Sequence, residues 1–137
     1  KTGKIVYIDD YAHHPMEIEA TLRSVRELYP EKKITGVFQP HLYTRTRDLA
    51  KGFAQSLGLL DSLILLDIYP ARELPIEGVT SEMVFRGVPV ADKIMCRKEE
   101  LLDILRKRDI EVLITLGAGD IDKYVEPITQ LLLRKIG

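Results

Sequence analysis

The sequence predicts an α/β fold: a doubly wound, mostly parallel, Rossmann-like sheet of about five to six strands with helices on both faces. Three observations carry that expectation. Segments of strand character alternate with segments of helical periodicity along the whole chain, the pattern of parallel βαβ units joined right-handedly. Two apolar runs, at 62–68 and 112–116, lack in-out alternation and suit strands buried on both faces. Polar, chemistry-bearing residues gather in the loops that leave the strands, whereas the opposite loops hold ordinary solvated charges.

Residues 5–8 read as the first strand. A helix follows over 16–29, with Ile18, Leu22 and Val25 on one face and Pro15 suited to its first turn. The stretch 30–33 is a turn, and 34–38 is the second strand. A polar loop over 39–46 leads into a helix to about 57, in which Leu49, Phe53 and Leu57 recur at i, i+4, i+8. Residues 62–68 form the third strand. The loop 69–78 exceeds the usual connection length, and such loops are often functional. Thr80-Ser81-Glu82 can cap a short helix toward Phe85, and 88–95 is ambiguous but strand-like. An amphipathic helix spans 98–108 and the last strand 112–116; Asp120 is expected to cap a final helix running to about 135.

At 137 residues, with 45% hydrophobic and 30% charged content, the chain has the makings of one globular domain with a proper core. A net charge of -1 leaves no electrostatic footprint for nucleic acid. No apolar run approaches the ~20 residues of a membrane span. The single cysteine, Cys96, excludes an internal disulfide, fits a reducing compartment and reads as packing. No signal peptide is evident, so a cytoplasmic location is expected. Lys rather than Met at position 1, with a strand starting almost at once, reads as a piece of a longer chain.

The densest chemistry is Asp9-Asp10-Tyr11-Ala12-His13-His14-Pro15, in the turn from the first strand to the first helix. One of the two aspartates is expected as a helix N-cap or turn residue. Later strand exits add Gln39, His41, Arg45 and Arg47, then Asp67, Tyr69, Arg72 and Glu73, then Gly117, Gly119 and Asp120, so that all three histidines fall on one edge. Arg45 or Arg47 can pair with Asp48. An arginine at a helix N-terminus opposes the dipole, which favours an anion-binding role for Arg45. Gly117-Ala118-Gly119-Asp120 admits close approach of a phosphate but lacks the dinucleotide fingerprint. There is no Gly-x-x-x-x-Gly-Lys-Ser/Thr loop, of which Thr2-Gly3-Lys4 matches only the end, no Gly-x-Ser-x-Gly elbow and no Cys/His zinc spacing. One alternative is a di-metal phosphoesterase-like site on Asp10, His13, His14, His41 and Asp67. Tyrosines and arginines outnumber carboxylates in these loops, which suits an organic anion better. A purely interacting module leaves the one-sided polar loops unexplained.

The run 9–15 resembles the Asp-Asp-Tyr-x-His-His-Pro motif of the bacterial cell-wall Mur ligases. Residues 37–48, 67–73 with 75–79, and 115–121 resemble the branch of that family that joins L-alanine to UDP-N-acetylmuramate. In order, these motifs cover nearly the whole chain. The branch that recycles murein tripeptide, the alternative within the family, shares the first motif but lacks the Gln-Pro-His-x-Tyr run. The resemblance is to the third domain. It implies that 1–137 form a single C-terminal domain of a three-domain ligase, with the UDP-sugar domain and the phosphate-loop ATPase domain before Lys1.

The resemblance also implies a reaction. ATP phosphorylates the lactyl carboxylate of UDP-N-acetylmuramate, with Mg2+ and the central domain holding the phosphates. The amine of L-alanine attacks the acyl phosphate, and the tetrahedral intermediate collapses to amide and phosphate in peptidoglycan precursor synthesis. The C-terminal domain closes over the other two and excludes water. Asp10 would accept the ribose hydroxyls of ATP, and His14 would reach ATP or substrate. Tyr11, His13, His41 and Arg45 would line the alanine site, with Arg45 on the carboxylate. Position 42 is Leu where some relatives carry Arg, which throws more weight on Arg45. By the same resemblance this domain holds neither a catalytic residue nor a metal ligand, and alone it is inactive.

Overall fold

Backbone hydrogen bonding sorts the chain into five short strands and five helices in strict alternation, in a computed structural model that describes residues 4–136. The strands are β1 (Val6–Asp10), β2 (Ile34–Phe38), β3 (Ser62–Leu66), β4 (Asp92–Cys96) and β5 (Val112–Leu116). The helices are α1 (Pro15–Leu28), α2 (Tyr43–Leu57), α3 (Glu82–Phe85), α4 (Leu101–Lys107) and α5 (Val125–Ile136). Thr2 and Gly3, the partial match to a phosphate loop, lie outside the described residues.

All strand pairs are parallel, in the order β1-β5-β2-β3-β4. The pleat explains the continuous apolar runs. In β3, Leu63 and Leu65 join one core with Ile18, Leu22, Phe53, Leu57 and Val84 of α1, α2 and α3. Ile64 and Leu66 point the other way and join Leu101, Leu105, Ile128 and Leu131 of α4 and α5. The sheet is therefore covered on both faces, as a parallel sheet requires. β5 lies between β1 and β2, yet its exit runs to the α4/α5 face while theirs run to the α1/α2 face. That divergence marks the carboxyl ends of β1, β5 and β2 as the position at which open α/β sheets bind ligands.

Several boundaries differ from expectation. β1 continues through Asp9 and Asp10, whose backbones pair in register with Thr115 and Leu116. α2 absorbs residues 43–46 of the expected loop, so Arg45 and Arg47 stand in its first turns. The ambiguous 88–95 stretch resolves into a loop, with Val88 and Val90 buried, followed by β4. The helix expected over 98–108 opens with a 3-10 turn, Lys98–Glu100, tied by Glu100 Oε1 accepting from Arg97 N at 2.9 Å. Asp120 caps no α-helix. Residues Asp120–Tyr124 form a 3-10 turn ahead of α5, and the Asp120 carboxylate is drawn to Gln39 and Lys98 instead.

Candidate functional site

The two neighbouring aspartates of β1 have opposite fates because successive side chains leave opposite faces of a strand. Asp9 Oδ1 accepts from Thr115 Oγ1 at 2.7 Å, and Thr115 also meets Tyr7 Oη at 3.0 Å. Burial, above all, pushes the Tyr7 phenol up to about 12, so this trio is a structural tie. Asp10 turns toward α1. Its Oδ1 accepts from Ala12 N at 2.8 Å and its Oδ2 from Thr21 Oγ1 at 3.1 Å. Asp10 is thus a turn residue at the strand exit, and Thr21 fixes its plane. An ionised carboxylate offers about four acceptor sites, so two of them remain for a ligand.

His14 is the N-cap of α1 and is half-buried, with no side-chain cap; Pro15 follows at the first helical position. His13 donates its backbone N–H to Glu17 Oε1 at 3.1 Å and its ring Nδ1–H to Tyr11 O at 3.0 Å. The His13 N–H bond is the first cause holding the Glu17 carboxyl below its ordinary range. Tyr11, 70% exposed, sets its ring edge-on to His13 with centroids 5.4 Å apart.

His41, after β2, joins this wall from the other side. Its ring lies 6.1 Å from His13 in a T-shaped arrangement and stacks on Tyr69, from the exit of β3, at 5.8 Å and 13°. Arg45 Nη1 donates to His41 Nδ1 at 3.0 Å. A guanidinium only donates, so His41 accepts here as the neutral imidazole with its proton on Nε2. Burial and then the Arg45 charge lower the His41 pKa, in agreement with that geometry. Arg47, not Arg45, takes Asp48, in an exposed pair at 2.8 Å. Four of the expected residues, Tyr11, His13, His41 and Arg45, are therefore brought into one array, with Asp10 and His14 at the start of the turn beside it.

The glycine turn after β5 packs closely on its neighbours. A Cβ at Gly119 would stand 2.6 Å from both Gln39 Oε1 and Tyr69 Cγ, so glycine here lets these two side chains approach the turn. Gln39, 2% exposed, donates to Asp120 Oδ1 at 2.6 Å and accepts from Ile121 N at 2.9 Å. Gln39 thereby ties the exits of β2 and β5 together. The sequence places Glu73 among the polar residues at the strand exits but gives it no role, and it does not point to Thr21. The absence of any acid in the first turn of α2 was the available signal for Glu73.

The di-metal arrangement on Asp10, His13, His14, His41 and Asp67 does not form. Among the described residues no group of three or more His, Cys, Asp or Glu could hold a metal ion. Asp67 is exposed at the exit of β3, and the Arg45 charge beside His41 Nδ1 opposes a cation. A concavity of about 730 Å3 lies at the opposite end of the strands among Lys4, Glu31, Lys107 and Glu111. Mixed solvated charges line it, whereas the aromatic and guanidinium array lies at the strand exits, so the site is assigned there.

Comparison with known proteins gives the family of the chain. Residues 1–119 match the family described as Mur ligase, glutamate ligase domain. A UDP-N-acetylmuramate–L-alanine ligase of Phocaeicola vulgatus is 62% identical over 136 residues, covering 98% of this chain and 30% of the relative. The ligase of that name from Parabacteroides distasonis is 57% identical, covering 99% of this chain and 29% of its own length. The chain thus spans about 30% of the length of the curated relatives it matches. The crystal structure of a UDP-N-acetylmuramate-alanine ligase from Thermotoga maritima superposes with TM-score 0.68 at 27% identity, over 92% of this chain and 27% of that one. A murein peptide ligase from Psychrobacter arcticus superposes with TM-score 0.74 over 96% of this chain and 28% of that one, and at 15% identity it shows the fold alone. No helix is long and apolar enough to cross a membrane among the described residues. The chain belongs to the Mur ligase, glutamate ligase domain family.

Proposed function

We propose that this chain is the C-terminal closing domain of an ATP-dependent ligase that joins L-alanine to UDP-N-acetylmuramate through an acyl phosphate, in cytoplasmic peptidoglycan precursor synthesis. One observation carries the reading: a guanidinium held by a neutral imidazole, on a wall of Tyr11, His13 and Tyr69, beside the half-satisfied Asp10 carboxylate. The similarity of nearly the whole chain to ligases of that name supports alanine as the amino acid.

Arg45 gives one of its five N–H donors to His41 and keeps a planar fork for the carboxylate of a small amino acid. His41 anchors that fork from behind, and its Nε2–H is a further donor. Asp10, held in plane by Ala12 N and Thr21, takes the ribose hydroxyls of ATP, with His14 beside it. Closure of these groups over an acyl phosphate excludes water from a labile species and presents the amine to it. The reaction class implies Mg2+ at the phosphates. The described residues hold no cluster that fits the ion, and the roles of Asp10, His41 and Arg45 do not depend on it.

The test is phosphate release and product mass with the full-length ligase, each substrate omitted in turn. Turnover should require ATP, UDP-N-acetylmuramate and L-alanine together, and the isolated chain should show none. A strong preference for a preformed murein tripeptide over L-alanine would reassign the chain to the recycling branch.

A further inference from the structure

α2 begins with a deficit. Its N-cap, Leu42, offers no side-chain cap, and its first turn contains no acid. Arg45 and Arg47 instead add positive charge at the end where the helix dipole and unpaired N–H groups are already positive. The missing acceptor arrives from 30 residues downstream: Glu73 Oε1 accepts from Tyr43 N at 2.6 Å and from Thr44 N at 3.1 Å, and Oε2 from Thr44 Oγ1 at 2.5 Å.

The segment bearing Glu73 is stitched to the site as well. Tyr69 N donates to Pro40 O and Leu42 N to Tyr69 O, each at 2.8 Å, and Glu73 N closes a turn onto Pro70 O at 2.9 Å. Among the described residues only Leu42 (φ 71°) and Ala71 (φ 55°) are non-glycine residues with positive φ, and both lie in this stitch. Such strain persists only where the surroundings over-determine it, and it gathers at ligand clamps. Glu73 also adds a carboxylate near Arg47 and His41.

We propose that Glu73 is a positioning residue for amino-acid binding: by capping α2 from the loop after β3, it holds Arg45 and His41 in register for the substrate carboxylate. The inference rests on Arg45 being the carboxylate anchor. Glu73 meets the α2 backbone, not the substrate, so its loss displaces the fork without removing it.

The experiment varies each substrate in steady-state kinetics of the full-length ligase. Glu73→Ala should raise the KM for L-alanine at least tenfold and leave those for ATP and UDP-N-acetylmuramate within twofold. Glu73→Gln, whose amide oxygen can still accept from both backbone N–H groups, should restore most of the loss. An unchanged alanine KM in Glu73→Ala, or an equal shift of all three constants together with the melting temperature, would overturn the role. Arg45→Lys run in parallel separates the two failures. If it raises the alanine KM while Glu73→Ala does not, only the Glu73 role falls; if Arg45→Lys has no effect, the anchor itself falls. Should Glu73→Ala not fold, Thr44→Val decides: a severalfold rise in alanine KM is expected, and no rise overturns the proposal.

Discussion

Removing the Asp10 carboxylate separates its two duties. In the structure it serves Ala12 N at 2.8 Å and Thr21 Oγ1 at 3.1 Å, and Ala12 is only 5% exposed. Asp10→Ala leaves the Ala12 N–H without its acceptor, which costs about 1–3 kcal/mol of stability, nearer the lower bound because Asp10 itself is half-exposed to water. A ribose hydroxyl on the carboxylate adds a separate loss. A hydrogen bond to a charged group contributes about 1.5–3 kcal/mol, which is roughly one to two decades in the ATP KM. Asp10→Asn isolates the second term, because its amide oxygen can keep the Ala12 bond while the charge and one acceptor go. Thr21→Val isolates orientation, since it frees the carboxylate to rotate without discharging it. The assay is ATP-dependent phosphate release by the full-length ligase at saturating L-alanine and UDP-N-acetylmuramate, with thermal melting followed in parallel. The expected order of ATP KM is Asp10→Ala above Asp10→Asn above Thr21→Val, with melting lowered most in the alanine variant. A lower melting temperature with an unchanged ATP KM in all three would confine Asp10 to the turn and refute its nucleotide role.

Three further outcomes follow from the same geometry. Arg45→Lys should raise the alanine KM tenfold or more and spare the other two substrates, because an ammonium cannot reproduce the planar fork; equal effects on all three would refute it. The alanine KM should climb as pH falls below the ordinary histidine value of 6.5, since a protonated His41 loses the Nδ1 lone pair that holds Arg45. The sign for stability is the same: the unfolded chain takes up that proton near 6.5 and the folded chain only below it, so stability attributable to His41 is full above 6.5 and lost as pH falls through the lowered folded value. Kinetics and melting across pH 5 to 8, with His41→Asn as the pH-independent control, check both. Gly119→Ala forces a Cβ to 2.6 Å from Tyr69 Cγ, and Tyr69 carries the stacked His41. Overpacking of that kind costs about 1–3 kcal/mol. A lower melting temperature should come with weaker alanine use, and wild-type values for both would mean that Tyr69 yields freely.

Local chemistry made much of this legible from sequence. The runs 62–68 and 112–116 read as doubly buried strands because burial on both faces removes alternation, and the first of them stops at Leu66, two residues early. Pro15 marked the start of α1 for the same local reason, its fixed φ and missing N–H. Parallel strand exits collected Asp10, His13 and His41 on one edge by topology alone. Long-range partners hid the remainder. Arg45 reads as a loop residue until Glu73, 30 positions beyond Tyr43, supplies the cap that starts α2 early. Asp120 reads as a helix cap until Gln39 and Lys98 compete for its carboxylate. Asp9 and Asp10 could not be told apart by type, since only the pleat of β1 sends one to Thr115 and the other to the turn.

The most direct test of the site is a crystal structure of the full-length ligase with L-alanine and a non-hydrolysable ATP analogue. The alanine carboxylate should lie within about 3 Å of the Arg45 guanidinium, with His41 still on its far side and a ribose hydroxyl on Asp10. A carboxylate held wholly by residues outside this chain, with Arg45 bonded to His41 alone, would contradict the assignment.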